Sequence, residues 1–181
     1  QKSEHNLEGP AVADGTQPFP GTTQQFSFNH SVKMLVFSVK NTTVPGFHSN
    51  YNAQRAAAVD DENEFLETAT LKYDNTERFQ MDPSFFQEVQ PYYHAASCPH
   101  GSLLLRNKLG YNMYSFALNP MSQDPNGSTN FGKLTNVSLK LAFNNDARRV
   151  EAHTNSAKLL IHALSMNIVR VSGGALGFPV L

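Results

Sequence analysis

DPNGSTNFGKLTNVSLKLAF, running from Asp124 to Phe143, joins a turn-forming half to a strand-forming half. Pro125 suits the second position of a turn, and Asn126-Gly127 tolerates positive φ. Behind them Val137, Leu139, Leu141 and Phe143 fall at strict period two, which marks a strand with one buried face. Just upstream, GYNMYSFALNP (Gly110–Pro120) reads as a strand with Tyr114, Phe116 and Leu118 on one side. These seven apolar residues are the expected core of a sandwich.

The same alternation recurs elsewhere. QFSFNHSVKMLVFSVKN (Gln25–Asn41) is apolar on both sides for part of its length, as in a strand covered on both faces. Pro45-Gly46 breaks it. ATLKYDN (Ala69–Asn75) is a short strand. In MDPSFFQEVQPYY, Asp82 is a good N-cap and Pro83 fits the first helical position. A short helix burying Phe85, Phe86 and Val89 and ending at Pro91 is expected there. AKLLIHALSMNIVRVSGG is ambiguous: LLIHALSM passes for a helix, whereas Ile168, Val169 and Val171 favour strand before Gly173-Gly174 ends it. Residues 1–23 lack periodicity and read as an arm or loop. Several strands, one short helix and long loops describe an all-β, antiparallel β-sandwich.

Composition narrows the function. The chain has 181 residues, 40% hydrophobic, with a net charge of −1. That length suits one domain. Near-neutral charge argues against direct nucleic-acid binding, which needs a basic face for phosphates. Cys98 is the sole cysteine, so neither an internal disulfide framework nor a Cys-rich zinc site is available. Thirteen Phe and six Tyr, without Trp, supply apolar anchors. Residue 1 is Gln rather than Met, as expected of a fragment or a processed chain.

Chemistry-bearing residues are scattered. His94, Cys98 and His100 lie close in YYHAASCPHG, but a Cys–His nucleophile pair needs an orienting third group, and the spacing fits no zinc pattern. Asp60, Asp61, Glu62 and Glu64 lack the glycine that a calcium loop requires and read as a solvated acidic loop. His162, alone in an apolar run, reads as a hydrogen-bonded core or interface residue. SGGALGFPVL (Ser172–Leu181) has glycines but no following helix to hold a phosphate, so it reads as a tight turn and a tail tucked into a neighbour. Sequons occur at Asn29, Asn41, Asn126 and Asn136 and matter only in a secreted protein. No catalytic, cofactor-binding or metal residues are expected, and no cofactor.

Taken in order, FSFNHSVKMLVFSVKNTT, GFHSNY, ATLKYDNTERF, PYYHA, YNMYSFAL, DPNGSTNFGKLTNVSL and MNIVRVSGGALGFPVL resemble the C-terminal half of the iridovirus major capsid protein. That family belongs to the double-jelly-roll capsid proteins of nucleocytoplasmic large DNA viruses. The resemblance implies a jelly roll over residues 24–181, here only the later strands of the second roll, with earlier strands lying before Gln1. Such a truncated sandwich would leave sheet edges unpaired and association-prone. It further implies a structural virion protein, not an enzyme, assembling as a homotrimer of pseudo-hexagonal outline into an icosahedral shell in the host cytoplasm. Neighbouring capsomers, minor capsid proteins and the inner viral membrane layer are the implied partners. The loops around Ala53–Glu67 and Asn144–Ser156 are expected to face outward or to lie between subunits. The rival reading is a free-standing β-sandwich module binding carbohydrate or a receptor, which would need an exposed platform of coplanar aromatics.

Overall fold

The computed structural model describes residues 1–7, 21–41, 66–94, 110–143 and 157–178. Its strands are β1 (Lys2–Leu7), β2 (Thr22–Phe26), β3 (Ser31–Asn41), β4 (Leu66–Tyr73), β5 (Thr76–Met81), β6 (Asn112–Ser115), β7 (Thr129–Asn130), β8 (Val137–Phe143), β9 (Ala157–Met166), β10 (Arg170–Ser172) and β11 (Ala175–Gly177). One sheet runs β1-β9-β3-β6 with β7 also on β3; the other runs β2-β8-β4-β5. All pairings are antiparallel. The first sheet has five strands, counting the two-residue β7, and the second has four; leaving β7 aside, the two layers hold the eight strands of a jelly roll.

This corrects the expected boundaries. Lys2–Leu7 and Thr22–Phe26 are strands rather than an arm or loop, one in each sheet. Lys2–Leu7 escapes sequence reading because its alternation is almost wholly polar, with only Leu7 reaching the core. It is held by full register against β9, from Lys2 opposite His162 to Leu7 opposite Ala157. The Gln25–Asn41 run is likewise two strands in different sheets. His30, at φ 71°, redirects the chain between them.

The core lies between the layers. Val137, Leu139, Leu141 and Phe143 of β8 are all buried, as their period demands, and meet Leu35, Phe37, Val39, Leu159 and Ile161 from the opposite sheet. The ambiguous C-terminal run is a strand over Ala157–Met166, paired on both edges by β1 and β3. Pairing on both edges outweighs its helical propensity. Asp74 and Asn75, at φ 49° and 68°, form the tight turn joining β4 to β5, a hairpin that the sequence reading missed.

Aromatic clusters fill the sandwich. Phe131, on a 3-10 turn (Phe131–Lys133) inside the opening stretch, packs its ring against Phe26, Phe28, Tyr73 and Phe116 at centroid distances of 5.7–6.4 Å. Phe86, fully buried, contacts Phe37, Phe79 and Phe85. It lies on a helical run that begins after Asp82, whose carboxylate accepts from the Phe85 N–H at 3.2 Å. A π-helical turn, Phe85–Val89, leads into α1 (Gln90–His94). The helical run therefore passes Pro91 instead of ending there; Pro91 follows directly on the π-helical turn, a site where helices accommodate irregularity. Val89, expected to be buried, is exposed.

Candidate functional site

The most structured surface feature is built on a bulge in β3. Val32 pairs with Ser165 and Met34 with Leu164, so Lys33 is an extra residue in the strand. The bulge lets Val32 and then Leu35, Phe37 and Val39 all join the core, across what would otherwise be a change of face. Lys33 itself is buried at 6% exposure, and its ammonium donates to the Ser122 carbonyl at 2.6 Å. Its own carbonyl accepts from the Phe116 N–H at 2.8 Å. An unpaired buried ammonium would be costly, so this contact fixes where the following loop must lie.

Lys33 thereby anchors the segment after β6. The Ser115 hydroxyl donates to the Ala117 carbonyl at 2.7 Å and accepts from its N–H at 3.2 Å, which ends the strand. Period two fails from there on. Tyr114 and Phe116 still pack on the core, but Leu118, expected inside, is 76% exposed. The turn of Asp124–Gly127 folds back onto this segment. The Asn126 amide donates to the Asn119 carbonyl at 3.0 Å, its oxygen accepts from the Asn119 N–H at 3.4 Å, and the Leu118 N–H reaches the Asn126 carbonyl at 3.3 Å. Gly127 is required: at φ +134°, an added Cβ would stand 2.8 Å from the Phe116 carbonyl oxygen. His94, at the end of α1, bonds the Leu118 carbonyl through Nδ1 at 3.0 Å.

Large apolar side chains on this segment and on α1 are exposed. Leu118, Met121, Tyr92 and Tyr93 are all more than 60% exposed, next to polar backbone that is already satisfied. The Tyr92 and Tyr93 rings stand perpendicular at 5.1 Å, so they do not form the coplanar platform of the rival carbohydrate-binding reading. What this surface offers is apolar contact.

Of the other sequence candidates, Cys98, His100, Asp60, Asp61, Glu62, Glu64 and the Asn144–Ser156 loop lie outside the described residues, as does Ala53–Glu67 up to Phe65. His94 is thus seen only as a clamp on Leu118. His162 is exposed on β9, opposite Lys2 and Val36, rather than in the core. Among the described residues no group of three or more His, Cys, Asp or Glu is placed to hold a metal ion. Gly173-Gly174, at φ 60° and 79°, forms the tight turn expected there: it ends β10 and joins it to β11 in a hairpin. Lys33 and Phe131 are the residues that sequence reading missed; a lysine inside an apolar run was the available signal for the first.

Two titrating groups stand out. Glu4, on β1, bonds both Lys158 and Lys2, which together hold its carboxyl down at about 2. Tyr73 is pushed up to about 12, chiefly by burial; the Thr129 side chain offsets this only in part. The Tyr73 hydroxyl is buried with no partner in hydrogen-bond geometry.

This fold is shared with solved capsid structures. The chain superposes over its full length on half of the chain in the PBCV-1 virus capsid quasi-atomic model, with a TM-score of 0.74 at 21% identity. It covers 31% of the Faustovirus major capsid protein, with a TM-score of 0.61 over 90% of its own length at 12% identity. The chain therefore shares a jelly-roll fold with part of each of these chains. In sequence, the chain is 35% identical to the major capsid protein of Invertebrate iridescent virus 3 over 92% of its length and 38% of the relative's. It is 34% identical to that of Frog virus 3 (isolate Goorha), over 85% and 36% respectively. The chain thus spans well under half the length of these relatives. The profile of the large eukaryotic DNA virus major capsid protein matches residues 16–177, and the chain belongs to that family.

Proposed function

We propose that this chain is a shell-building jelly-roll domain of a viral major capsid protein, working by self-association and not by catalysis. The observation that carries this is the family profile over residues 16–177, on a fold whose two sheets supply an eight-strand roll. Residues 24–181, together with the strands within residues 1–23, act as one domain. Three subunits form a capsomer of pseudo-hexagonal outline, and capsomers tile an icosahedral shell in the virion after assembly in the host cytoplasm. Minor capsid proteins and the inner viral membrane layer are further partners, and the genome is not contacted directly. No catalytic, cofactor or metal residue is assigned. An apolar surface backed by satisfied polar groups supports this reading, because lateral protein contacts draw on apolar anchors.

The test is the mass and shape of the capsid protein as made in infected cells. A trimer with a hexagonal outline by electron microscopy, present in the shells of purified virions, is expected. A stable monomer absent from the shells overturns the reading.

A further inference from the structure

Two separate demands meet at Asn126 and Gly127. Position 126 needs a short side chain that both donates and accepts: its nitrogen gives a hydrogen bond to the Asn119 carbonyl at 3.0 Å, and its oxygen takes one from the Asn119 N–H at 3.4 Å. An asparagine amide supplies both roles, whereas a carboxylate can only accept. Position 127 must carry no side chain, because an added Cβ would stand 2.8 Å from the Phe116 carbonyl oxygen. The clamp thus calls for Asn-Gly on geometric grounds, and that dipeptide brings a reactivity of its own.

An asparagine amide is open to attack by the backbone nitrogen of the next residue, and glycine there has no side chain to hinder the approach. Among the described residues nothing accepts from the Gly127 N–H, so attack by that nitrogen breaks no hydrogen bond it makes. Neighbouring asparagines are placed differently. Asn119 precedes Pro120, which has no N–H to give up. Asn130 and Asn136 precede Phe131 and Val137, whose side chains crowd the approach.

We propose that Asn126 is a site of spontaneous deamidation, kept slow by the closed clamp, and that the reaction opens the clamp once it has occurred. The Gly127 nitrogen loses its proton and bonds to Asn126 Cγ; the Cγ–Nδ2 bond breaks, and ammonia leaves carrying that proton. Water then opens the cyclic imide at either carbonyl, giving aspartate or iso-aspartate. The balance is water in and ammonia out, with no oxidant or reductant. The clamp slows the first step because both ends of the Asn126 amide are held on Asn119 and must let go for Cγ to turn onto the Gly127 nitrogen. The product cannot close the clamp again. A carboxylate has no proton for the Asn119 carbonyl and would face it oxygen to oxygen. Iso-aspartate also lengthens the main chain just where Gly127 has no room against Phe116. Lys33 still holds the Ser122 carbonyl, and His94 the Leu118 carbonyl, so the loosening is local and one-way.

The experiment ages the full-length protein near neutral pH in heavy-oxygen water, native and in urea, and maps its peptides by mass spectrometry. Native protein should show amide-to-acid conversion with uptake of heavy oxygen at Asn126 and none at Asn119. In urea the conversion at Asn126 should run at least about tenfold faster, because no local opening has to precede it. Lys33→Met, which frees the Ser122 carbonyl, should fall between the two; if that variant does not fold, the native-to-urea ratio still decides. Asn126→Asp should exchange the amide hydrogens of Leu118 and Asn119 at least about tenfold faster than wild type, with those of Leu139 and Leu141 unchanged. No conversion at Asn126 in native protein once the urea sample has reacted fully overturns the site. Equal rates in the native and urea samples overturn control by the clamp. Unchanged protection of Leu118 and Asn119 in Asn126→Asp overturns the opening.

Discussion

Replacing Gly127 by alanine tests how tightly the turn is clamped to the β6 segment. At φ +134° an L-residue is strained, at a cost of about 1–3 kcal/mol. The new methyl would also stand 2.8 Å from the Phe116 carbonyl oxygen and 3.0 Å from the Ala117 Cα. Both are backbone atoms, and Phe116 is tied by its N–H to the Lys33 carbonyl. Neither can give way as a side chain would, so overpacking adds about 1–3 kcal/mol. The sum is about 2–6 kcal/mol. For a domain of this size each kcal/mol lowers the melting temperature by about 2–4 °C, so a fall of at least about 4 °C is expected. Gly132→Ala is the control. There φ is ordinary, and the closest neighbour of an added Cβ is the Asn130 side-chain oxygen at 3.3 Å, which can move. Thermal unfolding by near-UV circular dichroism should show a large loss for Gly127→Ala and a shift under about 2 °C for Gly132→Ala. Equal effects from the two substitutions, or a Gly127→Ala protein that melts like wild type, would refute the backbone-contact reasoning.

Two further outcomes follow from the titrating groups. Tyr73→Phe removes a buried hydroxyl that has no hydrogen-bond partner while keeping the ring against Phe131, so stability should rise by about 1 kcal/mol, read as a higher denaturant midpoint. Because the folded value is raised to about 12 from 10.0, wild type should lose stability relative to Tyr73→Phe as pH climbs through that window, and a constant difference between the two counts against burial as the cause. Glu4 has the opposite sign: its folded value is depressed to about 2 from 4.5, so its contribution is present above 4.5 and lost as pH falls toward 2. The gap in melting temperature between wild type and Glu4→Gln should therefore be present at pH 7 and close by pH 2, and a gap that persists at pH 2 would rule out the Lys158 and Lys2 bonds as its source.

Sequence alone revealed those elements whose burial is written as a period. β8 has four apolar residues at every second position, and all four are buried. Strands at the sheet margins are less visible: β1 buries one residue in six, and β5 buries none, so neither carries an apolar period. Tertiary pairing, not composition, makes them strands. The Lys33 bulge was hidden for another reason. An extra residue shifts the alternation in mid-strand, so the Gln25–Asn41 run looks apolar on both sides when part of that pattern is one face changing parity. Leu118 failed as a core residue because the Ser115 hydroxyl ends the strand three residues earlier, a local bond that no hydrophobic pattern records. The resemblance strings pointed to the family without these details, which is why the class was legible and the contact surface was not.

At the end of the roll where β3 begins, the polar groups face inward. Lys33 bonds Ser122, His94 bonds the Leu118 carbonyl, and Asn126 bonds Asn119 in both directions. Each bond removes freedom from a loop that has no core of its own, and together they leave Leu118 and Met121 uncovered. A loop already held in one shape loses little entropy when a partner covers it, so more of the apolar contact remains as net association free energy.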